Sequence, residues 1–97
     1  MKVSYLPEAE AEHLRQIAYY EGQQVGLGAR YLEAVTSALT NILDAPHRCP
    51  VARAPEIRRH RVKGFPFTLY FRSTPDSLLV IAVAPNRRRP GYWYGRF

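Results

Sequence analysis

The chain has 97 residues, enough for one domain and too few for two ordinary ones. Its 46% of hydrophobic residues is an ordinary globular fraction and argues against disorder. No apolar run approaches the ~18 residues of a membrane span, and residues 1–7 lack the long apolar stretch of a signal peptide, so a cytoplasmic, non-membrane protein is expected. The net charge of +6 is unevenly divided. Residues 1–46 hold three basic and six acidic side chains, a net of −3, and residues 47–97 hold eleven basic and two acidic ones, a net of +9. Ten of those eleven are arginine. A guanidinium pairs bidentately with carboxylate or phosphate and stacks on flat rings, so the bias points to recognition of anions rather than to solubility alone.

Residues 2–6 suit a short strand, stopped by Pro7. Proline is tolerated in a first helical turn, and Glu8, Glu10 and Glu12 follow at the positive end of a helix dipole. Leu14, Ile17, Ala18 and Glu21 mark helical spacing, which predicts a helix over Pro7–Gln23. Gly22, Gly26 and Gly28 interrupt it. Tyr31, Val35, Ala38, Leu39 and Ile42 then form a clean helical stripe to about residue 45, and Pro46 closes it. The glycine-rich link predicts an antiparallel helical hairpin covering a sheet.

Residues 46–55 contain three prolines and read as a loop. Beyond them the period changes to two. Residues 57–62 form a cationic strand. Phe65, Phe67, Leu69 and Phe71 alternate with Pro66, Thr68, Tyr70 and Arg72, placing the first set on the core face. A turn at 73–76 leads to the continuously apolar residues 78–84, a central strand covered on both faces. The basic and aromatic tail, residues 85–97, shows little sign of a regular element. The expected fold is α+β in the order β-α-α-β-β-β: an antiparallel sheet, made of the three-stranded C-terminal meander plus the N-terminal strand, covered by a helical hairpin. Residues 1–97 form a single domain.

Cys49 is the only cysteine, which excludes an internal disulfide and a zinc site built mainly of thiolates. His13, His47 and His60 show no metal-ligand spacing. No cofactor or metal is expected, and Cys49 in its proline-rich loop is not read as a nucleophile. The segment Arg87-Arg88-Arg89 lies beside Tyr92, Trp93, Tyr94, Arg96 and Phe97. Arginine with aromatic rings is the composition of interface hot spots and of nucleic-acid stacking platforms.

The run Phe65-Pro66-Phe67-Thr68-Leu69-Tyr70, followed by Ala82-Val83-Ala84-Pro85-Asn86-Arg87-Arg88-Arg89-Pro90-Gly91-Tyr92-Trp93, resembles the RelE/ParE superfamily of toxins from type II toxin–antitoxin pairs. The early Pro7-Glu8-Ala9, the Tyr19-Tyr20 pair and Ile57-Arg58 fit the same pattern, so the resemblance covers nearly the whole chain and is nearest the ParE-like branch. It implies a growth-inhibiting toxin, associated in the ParE-like branch with plasmid stabilisation and DNA gyrase inhibition. It also implies a hetero-oligomer with a cognate antitoxin that wraps the domain with an acidic amphipathic segment. The alternative it implies is the RelE-like one, ribosome-dependent cleavage of messenger RNA. A third reading is a non-toxic module that binds antitoxin or nucleic acid.

Metal-free RNA cleavage needs an acid/base pair and cations for the phosphorane. Thr68 stands where a RelE-type nuclease would have a strand arginine, and Pro85 where many relatives have a histidine. Proline moves no proton. His60 falls on the opposite strand face from Arg59 and Arg61. A nuclease would be left with Arg61, Arg87 and Tyr92. A binding mode is therefore expected, with Arg58, Arg59, Arg61, Arg72, Arg87, Arg88, Arg89, Tyr92, Trp93 and Arg96 as the target-contacting set.

Overall fold

A computed structural model describes residues 2–96. Strand β1 (Lys2–Tyr5) leads into helices α1 (Pro7–Gln23) and α2 (Leu27–Asp44), then strands β2 (Val51–Arg53), β3 (Ile57–Val62), β4 (Phe67–Ser73) and β5 (Ser77–Pro85). The sheet order is β1-β5-β4-β3-β2. Adjacent pairs in the β2–β5 run are antiparallel, and β1 joins β5 in parallel. The sheet is thus mixed rather than wholly antiparallel. The helices and the later strands make the long crossover that a parallel neighbour of β5 requires. The segment expected as loop at 46–55 contains a 3-10 turn (Pro46–Arg48) and the short edge strand β2.

Helix α1 has the predicted bounds, with Pro7 in its first turn. Its inward face differs from the expected stripe. Ala9 and Glu12 are buried, and Ile17 and Tyr20 pack on the core, whereas Leu14 is 58% exposed. Helix α2 turns the expected stripe inward: Tyr31, Val35, Ala38 and Ile42 are buried and Leu39 packs beside them. Gly26 (φ 89°) makes the left-handed turn between the helices, and Glu21 accepts hydrogen bonds from the backbone N–H groups of Gly26 and Gly28. A Cβ on Gly28 would lie 2.9 Å from the Ile17 carbonyl oxygen, so this glycine lets the two helices cross closely.

Between helices and sheet lies the main core, with Val62, Phe67, Leu69, Phe71, Leu78, Val80 and Val83 from the strands. Tyr20, Tyr31, Phe65 and Phe67 meet there in tilted and edge-on ring pairs 5.1–6.2 Å apart. Alternation along β4 holds as predicted. A register shift opposite Tyr70 and Phe71 puts a bulge in β5, and Ile81 and Ala82 both join the cluster on the outer face with Ile57 and Trp93.

Candidate functional site

The outer face of the sheet, away from the helices, divides into two parts. One part is covered by the tail. Gly91 (φ 82°) turns the chain, and a Cβ there would meet the Tyr94 ring at 2.8 Å. Trp93 then packs against Ile57, Ile81 and Ala82, its ring 4.7 Å from those of Tyr70 and Tyr94. At 1% exposure it is a plug on the second face of the central strand and offers no stacking surface to a partner. Tyr94 in turn lies under the guanidinium of Arg53, 3.9 Å from its ring centroid.

The other part is open. Arg59 and Arg61 of β3, Thr68 and Tyr70 of β4, and Asn86, Arg88 and Arg89 after β5 line a groove of about 170 Å³. None of the described lining residues is acidic. The Thr68 hydroxyl, nearly buried, donates to Asn86 Oδ1 at 2.7 Å. That bond leaves the amide hydrogens as what Asn86 can offer a ligand. Four guanidiniums around one concavity repel each other, and an oxyanion entering it relieves that repulsion. The residue types in this groove fit carboxylate or phosphate and show no ligand set for a metal.

Not all of the expected contact set is here. Arg58 stands on the helix side of β3, where it donates to the Cys49 carbonyl oxygen at 2.6 Å. Arg72 is 3.9 Å from Glu56 near the far end of β4. Arg87 lines a separate cleft with Arg15, Tyr19 and Tyr20. Arg96 is held by Glu12, in two hydrogen bonds of 2.8 Å. Tyr92 lends its ring to the groove, but its hydroxyl donates to Glu12 Oε2 at 2.6 Å. Phe97 lies outside the described residues.

Of the nuclease set, Arg61 and the Tyr92 ring share the groove, and Arg87 lies outside it in the separate cleft. Burial and the bond to Glu12 push the Tyr92 hydroxyl well above its ordinary pKa, the wrong direction for a proton donor. His60 is on the helix side, its Nδ1 4.0 Å from Cys49 Sγ, as the alternation predicts. The Cys49 thiol is buried and its pKa is raised, chiefly by desolvation, which leaves it a poor nucleophile.

Glu12 is the residue that sequence reasoning missed. It is 5% exposed, and besides Tyr92 and Arg96 it accepts from the backbone N–H of Val83 at 3.1 Å. Arg96 also donates to the Ile81 carbonyl oxygen at 3.1 Å. Strand β1 pairs with β5 only over Ser77–Val80, so Ile81 and Val83 lie on β5 beyond its last partner. The ion pair supplies the hydrogen bonds that a longer β1 would have made, and it closes an otherwise open edge. Burial alone would raise the Glu12 pKa. The hydrogen bonds from Arg96, Tyr92 and Val83, with the Arg96 charge, outweigh it and hold the carboxyl below its ordinary value.

The family model described as "ParE toxin of type II toxin-antitoxin system, parDE" matches residues 3–90. Among solved structures, the chain is similar to one titled "Chromosomal ParDE TA system from P. aeruginosa", with a TM-score of 0.69 at 12% identity, covering 88% of this chain and 95% of that one. No curated protein matches it. The fold is that of the RelE/ParE superfamily, and the chain belongs to the ParE toxin family of type II toxin–antitoxin systems. The matched region ends at Pro90, before the tail that carries Tyr92, Trp93 and Arg96.

Proposed function

We propose that the protein arrests growth by binding an essential target through the arginine groove, with DNA gyrase as that target and the cytoplasm as its place of action. The observation that carries this reading is the convergence of Arg59, Arg61, Arg88 and Arg89 on one concavity whose described lining holds no carboxylate. Binding is favoured over cleavage because Tyr92, the groove tyrosine of the nuclease set, has given its hydroxyl to Glu12. A cognate antitoxin keeps the toxin silent by laying an acidic amphipathic segment on this cationic surface. Such segments fold as they bind, and the two proteins form a hetero-oligomer.

Purified toxin should inhibit gyrase supercoiling while leaving ribosome-bound messenger RNA intact. The pair R59E/R61E should abolish inhibition with the fold preserved, since reversing two charges turns attraction into repulsion across the groove. Cleaved messenger RNA together with untouched gyrase would replace this reading with the ribonuclease one. Cells growing normally under forced expression without antitoxin would replace it with a non-toxic binding module.

A further inference from the structure

The four arginines of the groove are held in two different ways. Arg59 and Arg61 stand on β3, and the β3–β4 register, Arg59 against Tyr70 and Arg61 against Thr68, fixes them. Arg88 and Arg89 follow β5 in an exposed turn, tied by two backbone bonds, Asn86 N–H to the Pro66 carbonyl and Arg88 N–H to the Pro85 carbonyl. An exposed arginine on such a turn samples many rotamers, and binding would have to freeze them.

Arg88 is not left in that state. Its guanidinium carbon lies 3.8 Å from the centroid of the Tyr92 ring, a cation–π contact. The hydroxyl of that ring is anchored on Glu12 at 2.6 Å. The Arg96 guanidinium, bonded to the same carboxylate, lies 5.0 Å from the same ring. Glu12 is itself fixed by helix α1 and by the Val83 N–H. A continuous chain of contacts therefore runs from a buried carboxylate on α1, through Tyr92, to one wall of the groove.

We infer that Glu12 is a positioning residue for the groove: by seizing Tyr92 and Arg96 it sets the ring on which Arg88 rests. The consequence for affinity builds on the reading of the groove as the target-binding site, whereas the contact chain itself is independent of it. Glu12 touches no ligand. It lowers the ordering cost of binding by presenting Arg88 already in place.

Two measurements test this, on the full chain under conditions where circular dichroism shows every variant folded. The first needs no ligand. In arginine side-chain NMR, the Arg88 Nε–H signal of the wild type should be shifted by the Tyr92 ring, 3.8 Å from the guanidinium carbon. In E12Q it should move to the position of a free arginine, while those of Arg59 and Arg61 stay. An unmoved Arg88 signal overturns the inference. The second uses purified DNA gyrase as the probe. E12Q and R88A should each weaken binding by about three- to tenfold, and the double variant should bind no more weakly than R88A alone, because both remove one contribution. Multiplicative losses would mean that Glu12 acts through general loosening and not through Arg88. Y92F keeps the ring but cuts its tie to Glu12 and should reproduce the E12Q signal in milder form, so it decides the question if E12Q does not fold. If gyrase does not bind the wild type, the target reading fails, and the NMR result still decides the role of Glu12.

Discussion

The two parts of the outer sheet face are built from the same residue types and have opposite fates. In one, Trp93 packs against β5, and Arg96 and the Tyr92 hydroxyl are tied down by Glu12. In the other, Arg59, Arg61, Arg88 and Arg89 face an open groove. The difference is not in the arginines. It is one carboxylate, delivered from α1 in the acidic half of the chain to a strand edge in the basic half. An arginine that meets a buried carboxylate becomes structure, and one that meets none keeps its charge for a partner.

The largest test of this contrast falls on the closed part. Trp93 is the fully buried tail residue of the outer cluster, packed on Ile57, Ile81 and Ala82 with the Tyr70 and Tyr94 rings against it. W93A should cost about 3–5 kcal/mol in chemical denaturation, the usual loss for a fully buried large ring. A loss under about 1 kcal/mol would mean that the tail decorates the sheet rather than covering it.

Acid comes next in size. The Glu12 carboxyl lies below its ordinary 4.5, so it contributes stability at higher pH that is lost as pH falls from 4.5 through its lower folded value. His13, stacked on Tyr5 and near Tyr31, is pushed below its ordinary 6.5 by burial, although Glu10 opposes the shift. The unfolded chain therefore takes up the His13 proton first, and stability also falls as pH drops below 6.5. Unfolding free energy measured against pH should show both declines, with E12Q lacking the lower one and H13Q the upper. A decline below pH 4.5 that survives unchanged in E12Q would separate Glu12 from acid sensitivity.

Legibility from the sequence followed the range of the interactions. Helix bounds, the α2 stripe and the β4 alternation are local patterns, and each stands in the structure as its spacing implied. So does the opposition of His60 to Arg59 and Arg61, which follows from the two-residue period of a strand. The short strand β2 was hidden by prolines, which are compatible with an edge but not with a central strand. The parallel placement of β1 depends on contacts more than seventy residues apart, for which no local signal exists. Glu12 was misread for a related reason. Next to Glu8 and Glu10 it looks like one more first-turn carboxylate. Only its place on one stripe with Ala9, Ile17 and Tyr20 marks it as inward-facing, and Leu14 and Ala18 advertised a competing stripe. Which arginines remain free could not be read until that carboxylate was placed.

The smallest effect separates the groove from the rest of the basic surface. Arg72 shares its strand face with Thr68 but stands four residues further along β4, about 13 Å at ~3.3 Å per residue. Its contact with Glu56 is long, 3.9 Å, between side chains 37% and 60% exposed, and such pairs contribute about 0–0.5 kcal/mol. R72A should therefore leave stability within about 0.5 kcal/mol of the wild type. It should also change inhibition by less than about twofold, because a charge beyond a Debye length of about 8–10 Å is largely screened from the groove. R61A, from inside the groove, should weaken inhibition several-fold and flatten its dependence on salt, as loss of a direct anion contact does. Equal losses from R72A and R61A would show that the target covers the whole outer face, and the division between an open and a closed part would then describe the free toxin but not its complex.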